Sequence, residues 1–109
     1  AHHSRGALEG IKNGVFSPWG RDSTLDYAGL RNLMEETGDY LAGLTREEVN
    51  GLVGRPVVFA VGDRKIPYVA EDFLLSFSQP NFYFHAATAY DILRHCGVEL
   101  GKRDFIGAI

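Results

Sequence analysis

The sequence predicts a mainly helical bundle domain, with a small β-hairpin set before a last, proline-kinked helix. Three observations predict it. Between Ser23 and Leu44 apolar side chains recur at alternating intervals of three and four. From Arg55 to Val69 that spacing gives way to β-branched and aromatic residues around a Gly62-Asp63 turn. From Glu71 to Cys96 runs a long helical stretch with Pro80 inside it. The 109 residues fit a single domain, 1–109.

The chain opens Ala1-His2-His3-Ser4-Arg5. The histidine pair reads either as the remnant of an affinity tag or as part of a helix that has lost its beginning. The continuation through Ala7, Leu8 and Ile11 favours the helix, with Gly10 and Gly14 as its stoppers. Asn13 to Asp22 read as loop, because Ser17-Pro18-Trp19-Gly20 is turn chemistry. Trp19 is expected to plug the bundle surface.

Ser23 starts the next helix, with Asp26 three residues later as a shortened capping box. Its apolar stripe is Tyr27, Leu30, Met34, Leu41 and Leu44, with Thr37 in the missing position and Leu33 beside it. The helix should end near Gly43. Thr45 with Glu48 is a second capping box, opening a short helix to about Gly51. The hairpin pairs Arg55–Val61 with Lys65–Val69, and Pro56 and Pro67 suit strand ends and edges. Two strands alone are marginal, so the hairpin must lie against the helices. Glu71 and Asp72 then place negative charge at the positive end of the last helix. Pro80 removes an amide donor and crowds the preceding turn, which predicts a kink at Ser76–Ser78. The helix should stop at Gly97, with an extended tail whose Leu100, Phe105 and Ile106 fold back on the bundle.

The bulk properties exclude several function classes. Net charge is −3, from 11 basic and 14 acidic residues, and no basic cluster stands free of acid, which argues against nucleic acid. No apolar run approaches a membrane span and no signal peptide is evident. Cys96 is the single cysteine, so no internal disulfide forms, and a reducing cytoplasmic setting is the expectation.

Pro80-Asn81-Phe82-Tyr83-Phe84-His85, Thr88-Ala89-Tyr90-Asp91-Ile92-Leu93-Arg94-His95, Gly97-Val98 and Leu100 to Phe105 form one long string. It resembles the C-terminal signature of a bacterial and fungal domain-of-unknown-function family, number nineteen ninety-three. That family is grouped with the DinB/YfiT-like metalloenzyme superfamily of four-helix bundles. The likeness is dense from Glu71 to Gly107 and elsewhere covers only the order of elements. It implies an incomplete DinB-like four-helix bundle, because full-length relatives carry a further helix and most of a second before the position of Ala1. An apolar stripe would then face water, at ~1.5–3 kcal/mol for each side chain. The resemblance therefore implies a homo-oligomer, or a missing N-terminal segment, to cover it.

The resemblance also implies where chemistry would sit. Metal-binding members of the superfamily use one histidine from an early helix and two from the last, four apart. The corresponding pair here is Asn81 and His85, with the early ligand to come from His2, from His3 or from the missing N-terminal region. Asparagine is a poor ligand for zinc or nickel. Residue spacing alone puts Ser78, Asn81, His85 and Thr88 on one face with Leu74 and Ile92. That stripe is either a set of hydrogen-bonded polar groups inside the bundle or one wall of a small-molecule pocket. In the pocket reading, Asn81 and His85 are joined by the aromatics Tyr27, Phe84 and Tyr90. His85 would be the group able to move a proton. The first functional expectation is a small-molecule-binding or structural oligomeric domain, and the second is a divergent enzyme using a metal or His85. His95 and Arg94 read as charges at a helix C-terminus.

Overall fold

The computed structural model describes residues 1–18 and 24–107. The expectations for Trp19 and Ser23 lie outside the described residues. The elements in order are helix α1 (His2–Asn13), strand β1 (Val15–Phe16), helices α2 (Tyr27–Ala42) and α3 (Arg46–Asn50), and strands β2 (Pro56–Val61) and β3 (Arg64–Val69). A short helix α4 (Ala70–Asp72) then runs through a π-helical segment, Phe73–Ser78, into helix α5 (Gln79–His95), and α6 (Lys102–Ile106) follows. The architecture is mainly helical with a three-stranded sheet.

Helix α1 ends where Gly14 adopts φ +78°, a conformation that favours glycine. Gly10 is not a stopper. It lies inside the helix, where an added Cβ would sit 2.8 Å from the Phe16 Cβ. The missing side chain lets β1 cross directly over α1. Gly14 accepts the Val58 amide at 2.9 Å, and β1 then pairs in parallel with β2, Phe16 opposite Phe59. This strand falls within the stretch that reads as loop in the sequence. The hairpin pairs Pro56 with Val69 and Val61 with Arg64, and lies against α1 as expected.

The caps follow local chemistry. Asp26 is itself the N-cap of α2, accepting from the Gly29 amide at 2.8 Å. Thr45 and Glu48 form the full reciprocal box at α3. The tail is not extended throughout, since Asp104 accepts the Gly101 amide at 2.7 Å and starts α6.

The core joins Ala7, Leu8 and Ile11 of α1 to Phe16, Leu52, Val57, Ala70 and Phe73. Rings of Phe16, Phe59, Phe73 and Phe77 pack together at centroid separations of 4.5–6.2 Å. Tyr40 of α2 and Leu44, just past its end, pack half-buried against this core, and Thr37 is the buried residue of α2. Thr37 and Leu44 belong to the stripe expected from the sequence, with Leu33 beside it, but the rest of that stripe turns outward. Of it, Tyr27 is 82% and Met34 68% exposed. Helix α5 buries none of its residues. The radius of gyration is 15.6 Å, against about 13 Å for a compact chain of this size.

Candidate functional site

The π-helical segment shapes the site. Its wider turn is closed by the Gln79 amide donating to the Leu74 carbonyl, five residues back. The register change absorbs the crowding that Pro80 would cause and leaves the proline in the first turn of α5, where its missing amide is tolerated. The kink expected at Ser76–Ser78 is thus realised as a change of helical register. Phe77 and Ser78 are turned toward α1, and Asn81 and His85 follow Ser78 on the same face.

Between α1 and this face lies a cleft of about 530 Å³. Helix α1 contributes His2, His3, Gly6, Glu9, Gly10 and Asn13. The chain around β1 contributes Val15, Phe16, Ser17 and Pro18, and the opposite wall is Phe77, Asn81 and His85. Its lining mixes polar groups with the two phenyl rings.

His3 is fixed across one end. Its Nε2 lies 3.2 Å from the Ser78 carbonyl and 3.0 Å from the Ser78 Oγ. A carbonyl only accepts, so Nε2 carries the proton and donates, which leaves Nδ1 as the acceptor of the neutral ring. The ring meets Phe16 and Phe77 edge-on, at 5.5 and 5.9 Å. Burial pushes the His3 pKa below its ordinary value of 6.5. The Ser78 hydrogen bond opposes that shift, while nearby His85 and the N-terminal ammonium add to it. His3 is therefore neutral at neutral pH.

The structure brings Asn81 and His85 together with His2 and His3, and it does not bring the expected aromatics. Tyr27 heads α2, outside the cleft. Phe84 is 66% exposed and touches only the edge of the His85 ring, at 5.3 Å. Tyr90 turns away to pack on Phe105, also at 5.3 Å. The aromatic surface comes instead from Phe16 and Phe77, which sequence spacing alone did not assign. Glu9 at the rim is ion-paired with Arg5, at 2.7 Å.

The donor set fits a transition metal poorly. Among the described residues no three His, Cys, Asp or Glu side chains group at metal-binding range. The Nε2 of His3 is engaged by Ser78, and the position one turn before His85 holds an amide. What the arrangement offers is aromatic surface, an amide that both donates and accepts, and imidazole nitrogens. No helix among the described residues is long and apolar enough to cross a membrane.

Three comparisons bear on this site. A family model described as a domain of unknown function, DUF1993, matches residues 1–106. Among solved structures the chain is similar to the crystal structure of a DinB family member protein from Shewanella denitrificans. Identity is 28% and the TM-score 0.66, over 99% of this chain. The chain spans 58% of that protein's length. The comparison with curated proteins returned no match.

Proposed function

The chain belongs to the DUF1993 family, and on that premise we propose that it is a small-molecule-binding helical domain whose ligand occupies the cleft between α1 and α5. One observation carries this reading. Asn81 and His85 from one wall face His2 and His3 from the other, above the rings of Phe16 and Phe77. Polar groups converging over an aromatic floor between helices are the usual form of such a site. The volume, about 530 Å³, suits a ligand of metabolite size. The test is a fragment screen by ligand-observed NMR on the unmodified protein, repeated on Asn81→Ala and His85→Ala. Binders of the cleft should weaken roughly tenfold in each variant. Hits that ignore both substitutions would place the ligand elsewhere.

A second reading, catalysis with His85 as the base, draws on one feature. His85 lines the cleft while remaining exposed, so a ligand held there would meet its ring.

We also propose that a second copy of the chain covers the outer face of α2. Leu30, Met34 and Tyr27 stand exposed there, each worth ~1.5–3 kcal/mol if buried. Light scattering at micromolar concentration should give a dimer or larger, and Met34→Glu should weaken it. A monomer in the unmodified protein sinks this part of the proposal.

A further inference from the structure

Ser78, Asn81 and His85 occupy successive turns of one helix face, all directed at α1. His3 reaches that face from the other side of the cleft and lands on Ser78, 3.0 Å from its hydroxyl. His3 and His85 line the same cleft. Position 81 therefore lies between the point where His3 arrives and the point where His85 projects. An imidazole there would stand one turn from His85 on the same face, the spacing that lets two histidines share one ion. His3, whose Nδ1 is not used in the Ser78 contact, would be the third nitrogen of such a set.

As the chain stands, this set is broken at one position. A side-chain amide is a weak ligand for zinc or nickel, and three protein ligands are the usual minimum for a catalytic zinc. With an amide at position 81, His3 and His85 supply only two nitrogens of this set. We propose that Asn81 is the residue that keeps a transition metal out of this cleft, so that the cleft takes organic ligands without an ion. Asn81→His then converts it to a zinc or nickel site built with His3 and His85. The inference concerns the geometry of the donors and not the organic ligand, so the metal experiment and the fragment screen fail independently.

The full chain without an affinity tag is stripped with chelator and titrated with Zn²⁺ or Ni²⁺. Affinity is read by calorimetry and retention after dialysis by elemental analysis. The unmodified protein is expected to retain well under one ion per chain. Asn81→His should retain one, bind at least about a hundredfold more tightly and melt at higher temperature with metal than without. Adding His85→Ala should return it to the level of the unmodified protein. Asn81→Asp, nearly identical in shape and an oxygen ligand, carries the same prediction in weaker form if histidine disturbs the packing. One ion per chain in the unmodified protein, lost in His85→Ala, overturns the proposal. So does a folded Asn81→His protein that binds metal no better than its parent.

Discussion

Two glycine-to-alanine changes in two helices should move stability in opposite directions. In α1, a Cβ at position 10 would lie 2.8 Å from the Phe16 Cβ and 3.2 Å from its Cα. Ordinary carbon contacts begin near 3.5 Å, so Phe16 would have to retreat by more than half an ångström. It has nowhere to go. Its backbone is paired with Phe59 in the sheet, and its ring is enclosed by Phe59, Phe73, Phe77 and His3. Overpacking of this kind costs ~1–3 kcal/mol. The gain in helix propensity returns about 1 kcal/mol at most. The expected net loss for Gly10→Ala is about 1 kcal/mol, or roughly 4–8 °C in melting temperature for a domain of this size. At Gly38, in α2, nothing lies within 4 Å of the added atom. Gly38 stands four residues after Met34, so in a chain kept monomeric by Met34→Glu the change Gly38→Ala should gain about 0.5–1 kcal/mol from propensity alone. Urea and thermal unfolding at one fixed protein concentration read both changes. If Gly10→Ala stabilises as Gly38→Ala does, β1 does not cross α1 at Gly10, and the cleft floor built on Phe16 is misplaced.

Two further outcomes follow from single contacts. The pKa of His3 is lowered by burial, so the unfolded chain binds its proton more readily than the native state does. The associated stability is complete above the ordinary value of 6.5 and is lost as pH falls through the lowered native value. Melting temperature should thus decline on acidification below neutrality, and His3→Asn should flatten that decline; an unchanged slope would show that His3 is not shielded by Phe16, Phe77 and Ser78. Thr45→Ala removes an acceptor 3.1 Å from the Glu48 amide and should cost about 1 kcal/mol in urea unfolding. A loss below a few tenths would mean that α3 does not depend on its cap.

What the sequence made legible is what neighbouring residues decide. Thr45 with Glu48, Gly43 at the end of α2, and the β-branched run around Gly62 all act within a few positions. The face shared by Ser78, Asn81, His85 and Thr88 was legible for the same reason, because a helix turns by about 100° per residue whatever surrounds it, while the family resemblance singled out Asn81 and His85 on it. By that rule Phe84 and Tyr90 lie about 100° and 140° from His85, so aromatic character alone could not place them in the cleft. Elements set by distant partners were hidden. Strand β1 is two residues among turn formers, and it exists because Val58 and Phe59 pair with it across more than forty positions. Gly10 looks the same in sequence whether it stops a helix or admits a phenyl ring, and only the approach of Phe16 decides. Helix α6 begins at a glycine with no capping side chain, so Asp104 was its one local signal.

The same distinction bears on how the cleft keeps its shape. Helix α5 holds the residues of one wall, yet it buries none of its side chains and 17 residues of helix are barely stable alone in water. Its direction is fixed at its origin, where Phe73 is fully buried and Phe77 joins the ring cluster. The His3–Ser78 hydrogen bonds fasten α1 to that origin, three residues before Asn81. A histidine that ties two helices together in this way cannot at the same time offer the same nitrogen to an ion. Its Nδ1 is not taken up by that contact, so on the proposal above what keeps an ion out is the amide at position 81 and not the bond to Ser78.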